Sequence, residues 1–244
     1  MVRKPRRPAR RKGPKNPPQQ PWCVIAWIIW HPQAHAALQP PTPNLPGPAG
    51  PLRPARQGHE DRIRVAIRKV NRLFRPCQLT FNVCEMILLD TSQMTVGNQS
   101  MAGVFGADGT LTIGGSHPMP TDFLNNFMTN GPAAFNAKMR ERCVHLFFVH
   151  DLRYEGVTIP EQGVGGSFGA AGARTCYAMV SARATNLSQT IAHELAHALG
   201  INDHSTAEHN LMKETLEDDD TALDGAQCGV IAATLAAQIR RGCP

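Results

Sequence analysis

The sequence has no Asp or Glu before Glu60, no CxxC pair, and no apolar run near the roughly 20 residues that a bilayer-spanning helix needs. The missing CxxC argues against a structural zinc knuckle. The longest apolar run, WCVIAWIIW at 22–30, has nine residues, too few for a stable membrane anchor. Acid is missing from the first 59 residues while ten Lys or Arg are present there, so the net charge of +6 belongs to that leader. The remainder carries 15 basic against 19 acidic residues, about −4, which removes the main electrostatic argument for nucleic acid as a partner of the folded part. The glycines at 163–172 come with no lysine and no following helix of the phosphate-loop kind, so they are expected to form a flexible loop beside a cleft.

The leader has an order of its own. A basic run ends at Lys15, the apolar run follows, and HPQAHAAL comes next, with Ala34-His35-Ala36 in a small-x-small arrangement. That is the layout of a secretory signal, so residues 1–36 are expected to be a signal peptide cleaved near Ala36, with a secreted or periplasmic product. Residues 37–58, dense in proline and glycine, read as an extended linker or short propeptide. The folded domain is then expected over 59–244. Cys23 falls in the presumed signal, which leaves Cys77, Cys84, Cys143, Cys176, Cys228 and Cys243 as disulfide candidates, an even number suited to an oxidising compartment. Two pairings are disfavoured. A helix over 226–241 would hold Cys228 and Cys243 about 22 Å apart, and a single strand over 77–84 would point Cys77 and Cys84 to opposite faces.

Periodicity predicts one α+β domain with a mixed sheet. EDRIRVAIRKVNRLFRP has one apolar helical face and Pro76 after its end, and CQLTFNVCEMILLD follows as a strand, with alternation through Leu79, Phe81 and Val83. TLTIGG near 110 is a short strand, and 121–141 is a helix interrupted at Gly131-Pro132. CVHLFFVHDL at 143–152 is a buried strand, and RTCYAMVSA at 174–182 is a strand of edge type. His145, inside the buried strand, reads as a satisfied core histidine. A helix then runs to Gly200 from an N-cap at Asn186 or Ser188, and a C-terminal helix starts near 225. The acids Glu217 to Asp220 read as a solvated face. Calcium binding there lacks support, because the EF-hand spacing is missing.

The chemistry concentrates in HELAHALGINDH, residues 193–204. On a helix, positions i and i+4 share a face, so His193 and His197 can turn both imidazoles to one metal ion. Glu194 is displaced around the helix and suits a general base acting on a zinc-activated water. The other positions of the helix are apolar, and buried His and Glu side chains there require partners that a metal supplies. Gly200 permits a sharp turn, so that Asp203 or His204 can fold back toward the ion.

His193, Glu194, His197, Gly200, position 203 and Met212 together resemble the metzincin pattern of zinc endopeptidases, HExxHxxGxx followed by a third ligand and a methionine turn. The aspartate at 203 followed by a histidine is similar to the snapalysin-type secreted metalloproteases. The resemblance implies a metzincin-like catalytic domain, one catalytic zinc on His193, His197 and Asp203, with His204 the alternative third ligand. It also implies Glu194 as base, Met212 in a supporting turn, and a monomer acting on protein or peptide laid along an edge strand, here expected at Thr175 to Val180. Two rival expectations are a secreted zinc-binding module without turnover, and a metal-free protein whose basic leader binds nucleic acid or an anionic membrane.

Overall fold

A computed structural model describes residues 20–30, 52–54, 57–90, 95–96, 99–100, 110–114, 124–125, 128–129, 133–155, 163–168, 175–213 and 222–243. The described part is α+β. A six-stranded mixed sheet is built from β1 (Trp22–Trp30), β2 (Leu52–Pro54), β3 (Phe81–Asp90), β7 (Val144–Val149), β9 (Gly163–Phe168) and β10 (Thr175–Ser181), in the order β2-β3-β1-β7-β10-β9. β3, β1, β7 and β10 run parallel, while β2 and β9 are antiparallel to their neighbours at the two margins. Two small two-stranded sheets add β4 (Thr95–Val96) with β5 (Gln99–Ser100), and β6 (Thr110–Ile113) with β8 (Asp151–Tyr154). Four helices are described: α1 (Gln57–Leu73), α2 (Ala133–Met139), α3 (Leu187–Ala198) and α4 (Gly225–Gln238).

The central strands are buried on both faces, so their residues divide alternately between two cores. Val24, Ala26 and Ile28 of β1 join Val144, Leu146 and Phe148 of β7 in a core with residues of α1, α3 and α4. Cys23, Ile25, Trp27 and Ile29 face the other way, with Phe147, Tyr177, Phe135 and Leu152. The helix that carries the histidine motif packs on β9 and β10 and against α1.

This arrangement corrects the expectation of a signal peptide over 1–36. Residues 22–30 form the strand between β3 and β7, with Val24 opposite both Val83 and Val144. Cleavage near Ala36 would remove a fully buried strand that includes Trp27 at 0% exposure. The folded unit therefore includes residues before 59. The proposed linker at 37–58 lies largely outside the described residues, which show β2 at Leu52–Pro54 and the start of α1 at Gln57. Gly131-Pro132 and the acidic run 217–220 also lie outside the described residues.

The cysteine expectations change with the strand. The disulfides are Cys23–Cys143, Cys77–Cys228 and Cys84–Cys243, with Cα separations of 4.8, 5.1 and 5.0 Å. Cys23 replaces Cys176, whose thiol stays buried and donates to Gln238 Oε1 at 3.2 Å. The two disfavoured pairings, Cys228 with Cys243 and Cys77 with Cys84, are not formed. Each bond closes a loop of more than a hundred residues. In the chain-entropy account such a loop stabilises by about 4 to 5 kcal/mol. Three disulfides point to an oxidising environment of extracellular type, and among the described residues no helix is long and apolar enough to cross a membrane.

Candidate metal centre

α3 starts after Asn186, whose carbonyl accepts from Thr190 N–H at 3.0 Å, and it stops where the sequence predicted. Gly200 adopts φ +103°, Gly200 N–H donates to His197 O, and Ile201 N–H donates to Ala196 O, both at 3.0 Å. This is a glycine-terminated helix end, and it throws the chain back across the last turn of α3.

The return path decides which side chain meets the two helix histidines. Nε2 of His193 and Nε2 of His197 lie 3.1 Å apart, and Nε2 of His204 lies 3.3 Å from each. His193, His197 and His204 form the metal-capable group found among the described residues. Asp203 is exposed and outside it, so the preference for Asp203 as third ligand is corrected in favour of His204. Spacing alone favoured position 203, but side chains one residue apart point in different directions, and the conformation after Gly200 aims residue 204 inward.

Hydrogen bonds fix two of the three rings. His193 Nδ1 donates to Leu211 O at 2.8 Å, and His197 Nδ1 donates to Ile201 O at 2.6 Å. A carbonyl can only accept, so in the neutral rings the proton sits on Nδ1 and Nε2 presents a bare lone pair. Burial keeps them neutral: it pushes the His193 pKa down to about 4 and lowers that of His197. Lone pairs about 3 Å apart repel one another unless a cation lies between them. Tetrahedral zinc with Zn–N near 2.0–2.1 Å sets N···N distances of about 3.3–3.4 Å, close to the spacing found here. The donor set therefore fits a divalent metal ion. His204 is exposed and His197 half-buried, which leaves the group open to solvent on one side.

The support beneath the rings was only partly foreseen. Met212 is fully buried, its N–H donates to Asn210 Oδ1 at 2.8 Å, and its carbonyl accepts from Ser205 N–H at 2.7 Å. The turn thus holds His193 through Leu211 and the segment next to His204 through Met212. Asn210, missed in the sequence, exchanges hydrogen bonds with Gln227 at 3.1 and 3.3 Å. Gln227 also completes a capping box with Asp224 at the start of α4, and Cys228 beside it is bonded to Cys77. The Asp-x-x-Gln spacing at 224–227 was a legible helix-start signal, but its tie to the metal centre was not.

Glu194 is 7% exposed and lies against β9. A Cβ on Gly163 would come within 2.6 Å of Glu194 Cγ, and one on Gly165 within 2.0 Å of its carbonyl oxygen. Of the glycines expected to form a flexible loop, Gly163, Gly165 and Gly166 instead lie in strand β9, because only positions without a side chain, as at Gly163 and Gly165, let the strand run so close over the helix. The edge assignment is corrected as well. Thr175–Ser181 is an interior strand between β7 and β9, and β9 forms the margin of the sheet. His145, by contrast, is the core histidine expected.

Fold and site together define a disulfide-bonded α+β protein with a three-histidine candidate metal centre and a neighbouring glutamate. No family model and no curated protein sequence matches the chain.

Proposed function

We propose that the protein is a zinc-dependent endopeptidase of metzincin type, acting outside the reducing interior of the cell. The convergence of three imidazole Nε2 atoms within 3.3 Å of one another, one residue from a buried glutamate, is the observation that carries this reading. His193, His197 and His204 would hold the ion. When bound, zinc polarises a peptide carbonyl and makes a water molecule acidic enough to serve as nucleophile near neutral pH. Glu194 would serve as general base toward that water and would carry its proton to the departing amine. Its position against β9 supports this role, because an extended peptide adding to the open margin of the sheet would lie beside the strand that packs on Glu194. Leu211 and Ile201 carbonyls keep the two helix imidazoles oriented and raise their basicity.

The full chain and its Glu194→Ala variant, assayed for zinc content and for cleavage of a mixed peptide library, test the proposal. One equivalent of zinc in both with cleavage by the unmutated protein alone is the expected outcome. Zinc in both with no cleavage by either points to a binding module, and no zinc in either removes the reading altogether.

A further inference from the structure

The charge balance beyond residue 59 is slightly acidic, yet its cations are segregated. Arg62, Arg64, Arg68, Lys69 and Arg72 on α1, with Arg75 just beyond it, are all exposed within 14 residues. Arg62 and Arg64 donate to main-chain carbonyls, of Ala182 at 2.9 Å and Val83 at 3.5 Å. Among the described residues Arg68, Lys69, Arg72 and Arg75 have no carboxylate partner. Arg64 and Arg68, and Arg68 and Arg72, stand four apart on the helix, where like charges destabilise by roughly 0.2–0.5 kcal/mol per pair. A row of unneutralised cations at that spacing calls for a counter-charge from outside.

The row also borders a groove. A cavity of about 370 Å³ opens between α1 and the segment leading into α3, with Arg62, Lys69 and Arg72 on one wall and Thr185, Asn186 and Ser188 on the other. Three cationic side chains therefore share one concave surface with small polar groups able to hydrogen-bond anionic oxygens. The exposed face of α1 carries no aromatic side chain, since Phe74 is buried. Base stacking, a large part of single-stranded nucleic-acid binding, has no platform here. The three disulfides suit an oxidising environment of extracellular type, so the polyanion proposed is an extracellular one.

We propose that the α1 face and its groove bind a linear sulfated polysaccharide, with Lys69 and Arg72 seating one sulfate group, Arg62 facing a second further along the groove, and Arg68 and Arg75 extending the contact along the helix. The groove lies at the start of the helix whose far end carries the histidines. Attachment there would leave the metal centre uncovered.

Binding of the full chain to heparin, as a function of NaCl, is the test. The R68Q/K69Q/R72Q variant is expected to bind about tenfold or more weakly near 0.1 M salt, with a slope of log K against log salt smaller by about 2. The charge-retaining R68K/R72K variant should keep the affinity, and the thermal midpoint of the triple variant should stay within a few degrees of the unmutated protein, because the changed side chains are exposed. A third variant, with the eight cations of residues 3–15 changed to Gln, separates the face from the basic leader. Affinity lost in that variant and kept in the α1 variant overturns the proposal. So does duplex DNA binding as tightly as heparin.

Discussion

His145 and His193 are two buried histidines with pKa values both pushed down to about 4 by burial, yet they sit in opposite chemical situations. At His145 the indole N–H of Trp27 donates to Nδ1 at 3.0 Å, and Nε2 stands 3.3 Å from Glu141 O. Both ring nitrogens are satisfied by the protein in one tautomer. At His193 a carbonyl satisfies Nδ1 and the other nitrogen looks at two more imidazoles. A depressed pKa therefore does not mark a ligand. The geometry of the second nitrogen does.

Glu194→Gln should lower kcat/KM by roughly 10³-fold while zinc stays bound, because the amide cannot take the proton. Metal analysis beside turnover separates this from loss of the site. His204→Ala should weaken zinc by more than the roughly 10 to 100-fold typical of an outer partner, whereas Asp203→Ala should leave it within a few-fold. A larger loss for Asp203→Ala than for His204→Ala in competition with a chelator would reverse the assignment of the third ligand.

His145→Ala should leave zinc affinity unchanged and cost about 2–4 kcal/mol of unfolding free energy, since it opens a cavity and strands the Trp27 indole N–H. Denaturant unfolding of the zinc-free chain reads this directly. The pH dependence follows from the same ring. Its folded pKa, about 4, lies below the ordinary 6.5, so the stabilisation is complete above about 6.5 and is lost as pH falls toward 4. Complete loss amounts to about 3 kcal/mol for this ring. His193 in the zinc-free protein adds a loss of the same sign. His145→Gln should flatten only the His145 part, and a slope unchanged by that substitution would contradict its burial as a neutral ring. The smallest effect is expected for Cys176→Ser, whose thiol lies outside the three disulfides, with a change of about 1 kcal/mol.

Legibility in the sequence followed the range of the interactions. The pairing of His193 with His197, the stop at Gly200 and the two long helices α1 and α4 depend on contacts within a turn or two, and periodicity reveals those. Residues 22–30 show the opposite case. A strand buried on both faces and a secretory apolar segment are the same kind of string, nine apolar residues without alternation. The basic residues ahead of it favoured the wrong reading. Its partner strands begin at Phe81 and Val144, and the disulfide that fixes it uses Cys143, none of which is local. The expectation of β10 as the margin failed for the same reason, because strand order is set by pairing between distant segments, and β9 takes that place.

By itself the sequence determined the chemistry on offer, two imidazoles and a carboxylate on one helix and a glycine that ends it, because helical spacing is a local property of the backbone. It also determined that four of its cysteines could not combine as Cys77 with Cys84 or Cys228 with Cys243. Only the tertiary structure decided that His204 meets the other two rings, since that depends on the turn after Gly200 and on Met212 and Leu211 holding both segments in place. It alone decided that Cys23 is bonded and Cys176 is not, since a disulfide requires Cα atoms within a few ångströms of each other, and folding alone brings together residues more than a hundred positions apart.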